Sequence, residues 1–303
     1  MGQDTILINR GKQILLSSKD KYAYKLIIPA LIIFFISLIC PLIFSLFLSF
    51  YKWKLTDISL KQFIFIKNYV SLLSDSEVIY SLIRTLKFTT LAVGLEIILG
   101  IGIALLLNLE IKGRRLIRVI ILIPMMLSDA VVALMWRLIL NLEQGILNYL
   151  LSMLGITPIF WLGKELSLYS IIFVEIWMFT PFVVLLVLAS LQAIPQEIIE
   201  ASKVDGANSI QRFFRIIFPM IRPVVLVALI FRTIFALRCF SLPWVLTGGG
   251  PANATNFVGI ELYRQGFIYL NIGKASALSW ILVLITMALA LLYIKSLSRE
   301  SIS

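Results

Sequence analysis

The sequence predicts an all-α integral membrane protein with six spanning helices, and three observations carry that prediction. Hydrophobic residues make up 60% of the 303 and charged residues only 14%, with a mean hydropathy of +0.99. Soluble domains run at roughly 45–50% apolar and about 25% charged. Apolar runs near the ~20 residues that cross a bilayer recur along the chain. The 27 Lys and Arg, against 16 Asp and Glu, concentrate in alternate connections between those runs, as the positive-inside bias of multi-pass proteins requires.

The same composition excludes several functions. With no histidine, the commonest general base and metal ligand is missing, so His catalysis and a zinc site are ruled out. The two cysteines, Cys40 and Cys239, lie in separate apolar runs and make no disulfide framework. No solvated basic domain accompanies the net charge of +11, so nucleic acid is not the partner it implies. A non-catalytic chain in contact with lipid, with no metal or cofactor of its own, is the expectation.

Residues 1–25 are polar and end in Lys19, Lys21 and Lys25. The run from 26 to 50 is too long for a signal-peptide core and lacks a small-residue cleavage site, so it stays as the first span. Trp53, Phe63, Phe65 and Tyr69 then alternate with Lys52, Lys54, Lys61 and Lys67, a composition suited to an interfacial loop. Further spans are expected near 88–108, 116–140, 168–191, 223–245 and 273–294, completing a membrane domain over 26–294 with a tail at 295–303. Gly94, Gly100, Gly102 and Ala104 are expected to let helices approach closely. With the N-terminus inside, the inner segments hold 15 Lys and Arg, counting Arg118 at the start of the third span, and the outer connections eight. Both termini and the connection at 194–223 are therefore predicted to be cytoplasmic.

That connection, IPQEIIEASKVDGANSIQRFFRIIFPMIRP, is far longer than the ~2–8 residues that join bundle helices. Pro195 suits a helix's first turn, with Glu197 and Glu200 near its N-terminus. Asp205-Gly206 ends that helix, and Asn208 or Ser209 caps a second one running toward Pro219. A helix, a sharp turn and a helix outside the bilayer are expected. An amphipathic pair lying on the membrane surface is the plainer alternative.

Glu200-Ala201-Ser202, three residues, Gly206, nine residues, then Ile216-Ile217-Phe218-Pro219 resembles the coupling-loop signature of bacterial ABC importer permeases, E-A-A, three residues, G, nine residues, I-x-L-P, with Ser202 and Phe218 as departures. Asp205-Gly206-Ala207 is similar to the D-G-A of the sugar-importing branch. Leu246-Thr247-Gly248-Gly249-Gly250-Pro251 with Thr255 resembles the L-T-x-G-G-P segment of its maltose-type first subunit. Asn68-Tyr69, Arg118 to Pro124, Trp136, Gly145 with Asn148, and Trp177 with Pro181 fall at weaker marks of that family; Ser241 departs from the Asp often found at its position. The Gly248–Gly250 run lacks the surroundings of a phosphate loop, so no ATP chemistry is encoded.

The resemblance implies a type I ABC importer permease fold in the bacterial or archaeal cytoplasmic membrane. It implies a heterodimer with a second permease, two cytoplasmic ATPase subunits that bind ATP and Mg, and an extracytoplasmic solute-binding protein meeting an outer mouth formed partly by residues 245–272. Glu200, Ala201, Ser202, Asp205, Gly206 and Ala207 would couple to the ATPase, Glu200 docking by charge, Ala201 and Ser202 by small size, Gly206 as the turn. A di- or oligosaccharide would be carried.

Charges inside apolar spans are costly and point to function. By helical rise, Glu175 and Arg238 lie at similar depth and are expected to meet, with Asp129 and Arg232 forming a deeper level. Internal ion pairs that hold the bundle are one reading. The other, implied by the family, is a sugar cavity lined by Glu175, Met178, Phe179, Phe182 and Arg238, with Asp129 and Arg232 beneath. Import of glycerol phosphate, a polyol or an acidic sugar stays open because of the two arginines. An ion-coupled secondary transporter using Glu96, Asp129 and Glu175 is the alternative of a different class.

Overall fold

The computed structural model describes residues 18–56, 61–109 and 112–298; the expected N-terminal segment up to residue 17 and the tail beyond 298 lie outside them. The first span is one rod made of α1 (Ser18–Phe34), a π-helical turn (Phe35–Ile39) and α2 (Cys40–Ser49). The wider turn sits just ahead of Pro41, where an imino nitrogen leaves a gap in the regular ladder, and the Cys40 N–H donates five residues back to Phe35. The interfacial segment forms a two-residue antiparallel pair, β1 (Tyr51–Lys52) with β2 (Gln62–Phe63), then α3 (Lys67–Leu73). Asn68 ties it down: its side-chain amide donates to the carbonyls of Ser49 and Tyr51 at 2.8 and 2.9 Å.

α4 (Ser76–Asn108) starts well before the expected 88, because Asp75 accepts the Glu77 N–H and caps the helix there. The expected third span is not straight. α5 (Arg114–Met126) and α6 (Asp129–Ile139) meet at 98°. Pro124 removes a donor from the last turn, Leu127 and Ser128 are extended, and the new helix starts when the Ser128 carbonyl accepts from Val132. Among the described residues, five helices are thus long and apolar enough to span, or six if the bent pair counts as one.

After α7 (Ile146–Met153), the long α8 (Ser167–Gln192) leads to α9 (Gln196–Val204) and α10 (Ser209–Arg212). A π-helical turn (Phe213–Ile217) precedes Pro219, as its counterpart precedes Pro41, and carries α10 directly into α11 (Phe218–Leu237). The second helix of the 194–223 connection is therefore the start of the fifth span, one apolar rod over Ser209–Leu237. That rod ends at Leu237 and not at 245: Arg238 and Phe240 leave helical geometry, and α12 (Ser241–Thr247) is a separate piece. α13 (Val258–Tyr263), a π-helical turn (Arg264–Ile268) and α14 (Ile272–Ser298) complete the described residues.

α4 and α8 form the central pair, with α11 against both, α5 on α8, and α6 with α12 at one end. One core cluster joins Phe88 and Val93 of α4 to Val132 and Trp136 of α6 and Ile171, Val174 and Met178 of α8. A second joins Ala104 and Leu107 to Val183, Val187 and Ile221. Lipid gives little drive for apolar surfaces to associate, so close packing must hold the pair. Gly100 supplies it: a β-carbon there would lie 2.5 Å from Val183 Cγ1. Ala104 is fully buried at the same contact. Gly94 and Gly102 differ from expectation, since a β-carbon on either meets nothing within 4 Å; at the helical repeat they project away from the Gly100 face.

Gly100→Val is expected to destabilise the detergent-solubilised protein by about 1–3 kcal/mol, the usual cost of overpacking, while Gly102→Ala is neutral or slightly stabilising. Thermal unfolding of both variants, with Val183→Ala added to the first as a rescue, checks this.

Candidate functional site

Two places concentrate polar chemistry. The first is a cavity of about 470 Å³ at the bent pair, walled by Met125 and Asp129, by Glu175, Phe179 and Phe182 of α8, by Arg232 and Phe235 of α11, and by residues 238–241. Steps of four and three residues put Glu175, Phe179 and Phe182 on one face of α8. Met178 is one step from Phe179, about 100° round the helix, and packs into the core instead of the cavity.

Arg232 is the centre of the wall. It is 1% exposed, and its planar fork spans two carboxylates from different helices. Nε and one terminal nitrogen donate to Glu96 Oε2 and Oε1 at 2.6 and 3.0 Å, and the same terminal nitrogen donates to Glu175 Oε1 at 2.7 Å. The Phe179 ring stacks on the guanidinium, its centroid 3.9 Å from Cζ. One cation thus joins α4, α8 and α11, with all three charged groups almost wholly withdrawn from solvent.

Both expected pairings are corrected by this arrangement. Glu175 meets Arg232, not Arg238: six residues of helix turn about 600°, so the two arginines point in different directions. Arg238 stands on the cavity wall with no ion pair among the described residues. Asp129 does not reach Arg232 either, because the 98° break moves it from mid-span to the exposed first turn of α6, on the cavity rim. Glu96 is the partner the sequence reading gave no structural role. Its signal was present, a lone carboxylate inside an apolar span, which needs a cation somewhere.

The second place is the turn after α9. The Ala207 N–H donates to the Ser202 carbonyl and the Gly206 N–H to that of Lys203, with Gly206 at φ +77°. These are the two bonds of a Schellman ending, which needs a left-handed residue at this position. Asn208 then caps the next helix reciprocally with Gln211, at 2.8 and 3.0 Å. Glu200, Ala201, Asp205 and Gly206 are exposed, Ala207 half-buried. Ser202 faces inward, buried, with its hydroxyl donating to the Ile199 carbonyl at 2.6 Å. A buried Ser202 does not stand on an exposed docking surface as expected, while Ala201, one position before it, does. Val204 and Ile210, 88% and 71% exposed, flank the turn with apolar surface.

The 246–255 segment is a knot of side chains. The Thr247 and Thr255 hydroxyls lie 2.6 Å apart, Thr255 also donates to the Gly250 carbonyl, and Arg264 donates to Asn253 and to the Gly248 carbonyl. Asn148 does similar work elsewhere, donating to three carbonyls and accepting from the Ile159 N–H and the Trp161 indole.

Residues 96–296 match the family described as binding-protein-dependent transport system inner membrane component. The chain is 39% identical over 289 residues to the trehalose/maltose transport system permease protein MalF of Thermococcus litoralis, covering 92% of this chain and 96% of the relative. It is 32% identical over 274 residues to the sulfoquinovosyl glycerol transport system permease protein SmoG of Agrobacterium fabrum, covering 90% and 89%. Its fold is similar to a chain in the crystal structure of a bacterial alginate ABC transporter in complex with alginate pentasaccharide-bound periplasmic protein, with TM-score 0.79, 24% identity, and 91% and 93% coverage.

Removing Arg232 leaves two buried carboxylates facing each other. Arg232→Met is expected to cost about 3–5 kcal/mol of stability, the range for an orphaned buried partner, and adding Glu96→Gln with Glu175→Gln to recover at least half of it. Thermal unfolding in detergent reads both; an Arg232→Met single variant as stable as wild type contradicts the clamp.

Proposed function

The chain belongs to the family of binding-protein-dependent transport system inner membrane components, and from that premise we propose that it is the maltose-type permease subunit of an ATP-driven importer for a neutral di- or oligosaccharide. Homologous permeases support the importer class, and the cavity supports the solute. Sugars are held by aromatic faces against their C–H surfaces and by a few polar groups at their hydroxyls. Phe179, Phe182 and Phe235 offer the first, and Asp129, Glu175 and Arg238 the second.

The observation that carries the neutral reading is the saturation of Arg232 by two carboxylates. Its positive charge is matched inside the protein, so the lining and the Glu96 behind it together carry three carboxylates, Asp129, Glu175 and Glu96, against two cations, Arg232 and Arg238. An anionic solute such as a glycerol phosphate or acidic sugar would meet more negative than positive charge. The same saturation disfavours the ion-coupled reading, since Glu96 and Glu175 are already engaged.

In this reading a second permease completes the pore and two ATPase subunits, which bind ATP and Mg, engage the turn over 194–223 from the cytoplasm. Glu200 is the docking charge there, with Ala201, Asp205 and Gly206 beside it and Val204 and Ile210 as apolar contacts. A solute-binding protein delivers the sugar to the opposite mouth, around 245–272. The segments 1–25 and 295–303 flank the 26–294 permease domain on the cytoplasmic side of a bacterial or archaeal membrane.

Uptake of a labelled disaccharide in cells carrying the full importer tests the solute. Excess neutral disaccharide is expected to compete and excess glycerol phosphate or glucuronate to leave uptake within about twofold; stronger competition by the anions contradicts the neutral reading. For the coupling turn, Glu200→Arg is expected to cut uptake at least ~tenfold and to lose the ATPase subunits from a mild-detergent pull-down, with the membrane level of the chain unchanged. Normal uptake by that variant would count against the docking role.

A further inference from the structure

A second cavity, of about 310 Å³, adjoins the first. Arg238 and Phe240 line both, and Gly259, Leu262, Tyr263, Phe267 and Leu282 complete the second. Beside it four aromatic rings stand in one contiguous series drawn from three segments. Phe240 and Trp244 have centroids 5.8 Å apart at 18°, Trp244 and Tyr263 4.9 Å at 55°, and Tyr263 and Phe267 5.3 Å at 25°. Phe240 also touches Tyr263, at 5.4 Å. At these centroid distances the nearly parallel pairs are slipped, not superposed, so each ring leaves part of a face uncovered.

The donors around this series are unspent. The Arg238 guanidinium, the Tyr263 hydroxyl and the Trp244 indole N–H have no hydrogen-bond partner among the described residues. Aromatic faces with a few free donors suit a pyranose ring, whose C–H surface stacks while its hydroxyls accept. A purely packing or lipid-facing series needs no arginine on its wall, and this one shares its arginine with the sugar cavity.

We infer that the Phe240–Trp244–Tyr263–Phe267 series is a second sugar subsite, continuous with the cavity through Arg238 and Phe240, so that the cargo is an oligosaccharide whose further ring or rings lie on this shelf. The inference rests on the sugar reading of the first cavity. The rings at Phe179 and Phe182 hold one end of the chain, Arg238 bridges, and the shelf holds the next units.

The test uses the complete assembly of this chain with its second permease and ATPase subunits in lipid nanodiscs, and a linear series of α-linked glucose oligomers of one to five units as probe, read by equilibrium binding. Wild type is expected to bind more tightly as the chain lengthens past two units. Tyr263→Ala and Phe267→Ala are each expected to weaken binding of three units and longer by about five- to tenfold, a change typical of losing one aromatic contact, with the disaccharide within twofold. Tyr263→Phe, which keeps the ring, is expected to retain most of the length dependence and guards against misfolding as the cause. Loss at all lengths alike, or at none, overturns the second subsite while leaving the first cavity intact. Failure of wild type to bind any member overturns the sugar reading and this subsite together.

Discussion

A guanidinium buried in an apolar bundle must be paired, and Arg232 meets that constraint by holding Glu96 and Glu175 at once. Breaking such a buried group costs more than forming it gains, so its value lies in specificity more than in net stability. Here the specificity is spatial. α4, α8 and α11 have one rotation each in which all three charges meet, and that rotation turns Phe179 onto the guanidinium and Phe182 toward the cavity. The site's shape follows from the clamp.

The same rod that carries Arg232 begins at the cytoplasmic turn. From Ser209 to Arg232 the chain is helical throughout, with the wider turn at Phe213–Ile217 absorbing Pro219. At 1.5 Å per residue that is roughly 35 Å of continuous helix between the Asn208 cap and the clamp. A displacement of the turn by an ATPase subunit, as proposed, is therefore delivered to the residue that fixes the cavity wall. The Schellman ending at Gly206 and the reciprocal cap at Asn208 make the joint a defined bend, as a lever needs.

How much of this could be read from the residues depended on whether the signal was local. The turn was legible, because Gly206 and Asn208 carry their own backbone preferences. So were the apolar spans and the aromatic positions 179 and 182. The break at Leu127–Ser128 was not, since hydropathy is the same on either side of a bend and only Pro124 hinted at one. Pairing among the embedded charges failed for a related reason. Depth along a helix is fixed by counting, but direction round it depends on where each helix starts and ends, and the fifth span ended at Leu237 and not at 245. Ser202 and Met178 were misplaced by one helical step each, which separates a packed face from an open one.

In the proposed mechanism the embedded carboxylates carry no coupling ion, and energy enters through the cytoplasmic turn. Sugar accumulation in sealed vesicles containing the reconstituted importer, with all ion gradients collapsed by ionophores, tests it most directly. Concentrative uptake that requires ATP inside and is indifferent to the ionophores is expected. Uptake that persists without ATP and disappears when the ion gradients are collapsed would contradict it and return Glu96, Asp129 and Glu175 to the role of ion sites.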